Sequence, residues 1–267
     1  KARAIAMVSQ STGRELEIDG KLSLSLFPQV ALQVGPARIR NTPGFSGNEF
    51  ASVKSIRASL DLKELLSKNI RITSLRIDGL NLYLQKNKDG SVNWNFTPQR
   101  NSATLAPART ATSGATSQMK NRVPDILNTL SLDKVAITNA TVLFQNMASS
   151  TTVEAKELNL EIHDFSLGRQ AEITLRTDIL VPEKYVRVPV SLKSQATLFP
   201  NSALDMTALE GHIGDTAFTG ALQGMPGDSY EIDASLTLDD LELNTYLCLK
   251  EQDNAHAPGQ AVSFKGS

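Results

Sequence analysis

The sequence predicts a mostly β protein: one large curved antiparallel sheet, rolled or half-pipe in form, with a short N-terminal helix and one or two short capping helices. Three observations predict it. Apolar residues recur at every second position over most of the 267 residues, the pattern of strands with one apolar and one wet face. Turn dipeptides separate these runs. Helical spacing is confined to a few short segments.

Taken in order, residues 1–12 place Ala4, Ile5 and Val8 at helical spacing and end at Gly13, a C-cap residue. Leu16, Ile18, Leu22, Leu24 and Leu26 then hold one phase, while Glu15, Glu17, Asp19, Lys21, Ser23 and Ser25 hold the other. Turns are expected at Gly20, at Pro28 and at Pro43-Gly44. Ile56, Ala58 and Leu60 continue the two-residue repeat, and Asp61 to Lys68 reads as a two-turn helix with an acidic N-cap and a basic last turn. Between Ile70 and Leu84 the apolar phase slips twice, from Ile72 to Leu75 and Ile77, then past Gly79 to Leu80, Leu82 and Leu84. Such slips mark bulges that bend a strand and keep its apolar side inward. Asp89-Gly90 is a hairpin signal, with Trp94 just beyond it.

Residues 72–85, ITSLRIDGLNLYLQ, are echoed by 132–145, LDKVAITNATVLFQ. A repeated strand unit would produce this, and so would convergence on one bent amphipathic pattern. Leu158 to Ile162, Val186 to Leu192 and Ile232 to Leu238 alternate in turn, giving roughly ten to twelve strands. The chain divides into a helix and β segment over 1–99, a flexible Ala/Ser/Thr/Pro loop over 100–120, a continuation of the same sheet over 121–250 and a polar tail over 251–267. A further short helix fits Asn244 to Lys250.

Composition narrows the function classes. With 27 basic against 28 acidic residues and a pI near 6.4, no field exists to attract a phosphate backbone, which argues against nucleic acid. Cys248 is alone, so neither an intrachain disulfide nor a thiolate metal cluster can form. His163, His212 and His256 are scattered and no nucleophile or phosphate-loop motif occurs, so no metal, cofactor or enzymatic activity is expected. Asp239 and Asp240 are adjacent on a strand and point to opposite faces. Trp94 alone is a thin basis for a sugar platform.

The apolar phase needs a cover, and the expected helices are too few to supply one. An open sheet of this size curls, splits into two packed sheets, or stays open when something else occupies its inner face. A filled sandwich, a barrel and a half-pipe all satisfy the pattern.

Four segments bear a family resemblance: Thr12-Gly13-Arg14 with Ile18-Asp19-Gly20; Ser25-Leu26-Phe27-Pro28 with Asn41-Thr42-Pro43-Gly44-Phe45; Asp89-Gly90-Ser91-Val92-Asn93-Trp94; and Leu238-Asp239-Asp240-Leu241-Glu242-Leu243-Asn244-Thr245-Tyr246-Leu247. Together they resemble the amino-terminal part of the AsmA family, which is similar to chorein-type bridges that carry lipid along a rolled sheet. The resemblance implies a periplasmic protein anchored in the inner membrane, although no run here is apolar for the ~20 residues a span requires, so the anchor is expected to be missing. It implies a phospholipid partner and a role in outer-membrane biogenesis, with Leu16, Ile18, Leu22, Leu24, Leu26, Leu75, Ile77, Leu80, Leu82 and Leu84 as groove wall. Lys21, Arg38, Arg40, Lys54, Arg57 and Arg76 would meet headgroups along a polar rim, or serve only solvation. The alternative is a scaffold whose exposed sheet edges recruit outer-membrane protein precursors or their assembly machinery.

Overall fold

A computed structural model describes residues 9, 12–27, 29–67, 71–95, 131–182, 186–226, 230–239 and 261–266. Most of the expected N-terminal helix, Pro28, the 100–120 loop and the helix near Asn244 lie outside the described residues. Ser9 and Thr12 are helical, and Gly13 donates its N–H to the Ser9 carbonyl at 2.9 Å with φ of 68°, a helix C-cap.

Among the described residues sixteen strands form one open sheet. The first eight are β1 (Leu16–Ile18), β2 (Ser23–Ser25), β3 (Ala31–Val34), β4 (Ala37–Arg40), β5 (Glu49–Val53), β6 (Ser55–Leu60), β7 (Ile72–Asp78) and β8 (Asn81–Lys86). Longer strands follow: β9 (Ser131–Asn146), β10 (Thr151–Ser166), β11 (Gln170–Val181), β12 (Val186–Leu198), β13 (Leu204–Ile213), β14 (Thr216–Pro226), β15 (Tyr230–Leu238) and β16 (Ala261–Gly266). From β9 to β16 each strand pairs antiparallel with the next.

The first eight strands are four longer ones, each interrupted once. Because β1 pairs β4 while β2 pairs β3, and β4 pairs β5 while β3 pairs β6, the interruptions lie side by side. They form a crease through Gly20, Gly35, Lys54 and Gly79. Backbone fills it: a Cβ on Gly20 would sit 1.1 Å from the Gly35 carbonyl oxygen, and one on Gly35 would sit 2.3 Å from the Lys54 carbonyl oxygen. Gly20 is thus a crease residue rather than a hairpin turn, since its N–H donates to the Pro36 carbonyl at 3.1 Å. Lys54 donates to the Asp78 carbonyl at 3.0 Å and Gly79 to the Thr138 carbonyl at 2.9 Å, which carries the crease into β9. There it becomes a bulge at Asn139 (φ 53°), then one at Glu157 in β10 (φ 50°). Counted whole, the interrupted strands reduce sixteen to twelve, the upper end of the count expected from alternation.

One join departs from an all-antiparallel sheet. Strand β9 runs parallel to β7 and β8, pairing Leu75 with Val135, Ile77 with Ile137, Leu82 with Val142 and Gln85 with Gln145. These are the two echoed segments, and each residue faces its own counterpart 60 positions later, crease opposite bulge. The connection over 87–130 is long enough for the crossover that parallel pairing needs. Alternation fixes the faces of a strand but not the sense of its neighbour, so the pattern alone could not distinguish the two.

Both phase slips correspond to structural irregularities. The register of β6 against β7 shifts between Ser59 and Leu60, leaving Thr73 as the extra residue, and the second slip is the crease at Gly79. The α1 helix (Leu62–Leu66) joins β6 to β7, with Asp61 accepting from the Lys63 N–H at 2.9 Å as N-cap. It buries none of its residues. It therefore occupies one end of the sheet without covering a face.

Candidate functional site

The register builds a single apolar face across the sheet. In one row Leu16 pairs with Ile39, Ile39 with Ala51, Ala51 with Leu82, Leu82 with Val142, Val142 with Ala155 and Ala155 with Ile179. A second row runs through Leu24, Leu32, Ala58, Leu75, Val135, Ile162, Ile173 and Ser194. Strand β11 crosses both rows without a bulge, so the rows share one face. Further members are Leu160, Leu175, Leu192, Val190 and Ile213.

Nothing covers this face among the described residues. Large aliphatics such as Leu82, Val142, Leu160, Ile162, Leu175, Val190 and Leu192 are only half-buried, and Leu24 is 61% exposed. Buried apolar residues are mainly alanines, Ala31, Ala37, Ala136, Ala140, Ala171 and Ala196, with Val30, Phe50, Leu132, Leu209 and Phe218. A packed core would bury the long side chains first. Here lateral neighbours shield small residues while larger ones protrude into unfilled space.

Polar atoms on the apolar face are consumed locally. Thr177 lies opposite the Glu157 bulge and donates its hydroxyl to the Lys156 carbonyl at 2.9 Å. Ser194 lies opposite the Ala208 bulge and donates to the Thr207 carbonyl at 2.9 Å. Each hydroxyl thus satisfies a carbonyl beside a disrupted ladder.

The opposite face is polar. It carries the ion pairs Arg38–Glu17 at 2.9 Å, Lys134–Glu161 at 2.9 Å, Lys193–Glu172 at 3.3 Å and Arg187–Asp178. The Lys134 hydrogen bond holds the Glu161 carboxyl below the usual carboxylate range. One cavity on this side, bounded by Glu157, Arg176, Asp178, Ser191 and His212, is shallow. No cluster of His, Cys, Asp and Glu suited to a metal ion occurs among the described residues.

Motif segments distant in sequence meet in one polar knot at the start of the sheet. Beyond Leu82 strand β8 no longer pairs with β5, and Asn93 supplies the missing partner. Its backbone N–H donates to the Gln85 carbonyl at 3.0 Å, its Oδ1 accepts from the Gln85 N–H at 2.8 Å, and its Nδ2 donates to the Tyr83 carbonyl at 2.8 Å. One asparagine stands in for a strand. Arg14, 5% exposed, donates to the Asn93 carbonyl and stacks over Phe50 at 4.1 Å. Gln85 Oε1 accepts from the Ser46 N–H at 2.9 Å, tying in the Pro43-Gly44 hairpin loop, where Gly44 has φ of 94°. Asp89 accepts from the Ser91 N–H at 2.9 Å and from its hydroxyl at 2.6 Å, closing the turn at Gly90 (φ 85°). Trp94 leans on Phe144 of the apolar face with ring centroids 6.1 Å apart.

Of the expected wall residues, Leu16, Ile18, Leu24, Leu75, Ile77, Leu82 and Leu84 share the apolar face. Leu80 sits half-buried in the crease, and Leu22 and Leu26 flank β2 outside any strand, 51% and 70% exposed. Arg38, Arg40, Arg57 and Arg76 project from the polar face within strands rather than along a rim. The Lys54 side chain packs under Gly79. Sequence reasoning left out the β9–β15 part of the face, although its alternation was visible, and the knot residues Arg14, Asn41, Gln85 and Asn87. The signal for the knot lay in the motif segments, whose polar residues are more numerous than their turns require.

A single open sheet with one bare apolar face and one ion-paired face belongs to a class of proteins that offer an extended amphipathic surface rather than an enclosed pocket. The model of the AsmA family matches residues 1–258, and the chain belongs to that family. The family is associated with the bacterial envelope and with outer-membrane biogenesis or lipid transport. No curated protein and no solved structure matches the chain. No described helix is long and apolar enough to cross a membrane.

Proposed function

We propose that this chain is a periplasmic section of an inner-membrane-anchored protein whose bare apolar face is a groove for phospholipid tails moving toward the outer membrane. The observation that carries the reading is the apolar face that the register continues from β1 to β15, with no charged side chain on it between strand ends among the described residues. Exposing an acyl chain to water costs ~0.8 kcal/mol per CH2. A continuous apolar path removes most of that cost, so transfer needs no bond to break and no cofactor. Bulges along the crease bend the sheet about the path.

A second reading has its own observation. Among the described residues strands β1 and β2 each pair on one side only, and Leu24 on that edge is 61% exposed. An outer-membrane protein precursor could add a strand there.

The test is native mass spectrometry with lipid extraction of protein purified from a bacterial envelope under mild conditions. Co-purifying phospholipid that is lost in Leu82→Asp, with the circular dichroism spectrum retained, is the expected result. A folded parent protein free of lipid would overturn the groove and turn attention to the β1–β2 edge.

A further inference from the structure

The long edges of the apolar face differ chemically. At one edge the strands β8, β9 and β10 end in Lys86, Asn146 and Thr151, joined by the register pairs Lys86–Asn146 and Asn146–Thr151. All three continue the apolar phase: the next rows inward are Leu84, Phe144 and Val153, then Leu82, Val142 and Ala155. Lys86 is exposed and enters none of the ion pairs among the described residues, whereas the basic residues of the polar face pair repeatedly with acids. The Trp94–Phe144 contact lies one row inward. An aromatic between a wet edge and aliphatic rows suits the boundary of an amphiphile.

At the other end of the same strands the charges are acidic, Asp133 and Asp164, both exposed. Leu26 at 70%, Phe27 at 87% and Leu66 at 78% are also exposed there, and the exposed cations of that edge, Lys63, Arg71 and Arg169, belong to α1, to the residue before β7 and to the β10–β11 hairpin rather than to strand ends in the apolar phase. Among the strand ends of β8, β9 and β10, Lys86 is the cation that stands directly above aliphatic rows, with an amide and a hydroxyl group beside it. From Lys86 to the crease at Leu80 a strand rises about 20 Å at ~3.3 Å per residue, enough for the roughly 15 Å hydrocarbon depth of one leaflet.

We propose that Lys86, with Asn146 and Thr151, receives the phosphate of a bound phospholipid, so that headgroups line this edge and tails run toward the crease. The proposal rests on the groove reading and adds a headgroup site and a lipid orientation to it.

The full chain is loaded from vesicles of phosphatidylethanolamine and phosphatidylglycerol doped with diacylglycerol, and retained lipids are quantified. Lys86→Met keeps the aliphatic stem and removes the charge. It is expected to lower the phospholipid-to-diacylglycerol ratio about tenfold, the scale of one charge-assisted contact, while Lys86→Arg stays near the parent. An unchanged ratio overturns the headgroup site and leaves the groove standing. Equal loss of both lipids also overturns it, because the side chain would then act by packing. Binding of inorganic phosphate alone, lost in Lys86→Met without any change in lipid ratio, would mark a free-phosphate site instead. A parent protein that retains neither lipid removes the groove reading itself.

Discussion

The polar knot around Asn93 and the apolar face of β9 to β12 use opposite physics within one sheet. In the knot small polar side chains are almost fully enclosed, Asn93 1% and Gln85 5% exposed, and are hydrogen-bonded to neighbouring backbone. On the face, large aliphatics stand half out of any packing. A buried polar network is geometrically specific and costly to break, whereas a half-covered aliphatic surface is tolerant and energetically unfinished. The knot and crease therefore define the shape of the sheet, and the face is the part that the proposed function assigns to a ligand.

The largest effect expected is at the crease. Gly20→Ala places a methyl carbon 1.1 Å from a backbone oxygen, so the first two strands must separate from the next two, at a cost of about 4 kcal/mol. Asn93→Ala follows, at about 3 kcal/mol, because it leaves the Gln85 N–H and the Tyr83 carbonyl without their side-chain partners. Urea denaturation checks both as a lowered midpoint at an unchanged slope. A loss under 1 kcal/mol at either site would mean that the first strands are not held as described.

A smaller loss is expected on the face. Leu175→Ser removes a side chain that is only half-buried, so it should cost about 1 kcal/mol, well below the roughly 3–5 kcal/mol typical of truncating a buried leucine. Its main effect should appear with ligand: phospholipid raises the midpoint of the parent by mass action and raises that of the variant less. A core-sized loss without lipid would mean that the face is covered by a second layer.

These contrasts show what was legible in advance. Alternation at Leu16 and Ile18, and again at Leu82 and Leu84, sufficed to assign one face, and the two phase slips located Thr73 and Gly79 as irregularities, because a period of two is a local property of the chain. The short helix after Asp61 was equally local. Pairing was not: the parallel join of β8 to β9 and the convergence of Arg14, Asn41 and Asn93 depend on contacts between distant segments. The basic residues follow the same rule. The phase of Arg38 is legible in the sequence, but not that Glu17, Asp19 and Glu49 surround it, which leaves it an ion-paired residue of the polar face rather than a rim.

Acidity offers the mildest way to separate the two regions. Asp78 in the crease accepts from Asn139 Nδ2 at 3.1 Å and from the Thr138 hydroxyl at 2.9 Å, and these bonds hold its pKa below the ordinary value. Asp89 in the knot loop is lowered by the Ser91 hydroxyl and N–H, and Glu161 by Lys134. A carboxyl whose folded pKa is depressed contributes stability above its unfolded pKa, and that contribution fades as pH falls through the folded value. Stability should thus be flat from neutrality to about pH 5 and decline below about pH 4, with a shallower decline in Asp78→Asn. The rows of Leu, Ile and Val contain nothing that titrates in this window. Retention of diacylglycerol, which carries no charge, should accordingly persist at pH values where the midpoint has begun to drop. If retention and stability fell together from the first acid step, crease and face would form one cooperative unit, and the division between a shape-defining network and a ligand-accepting surface would fail.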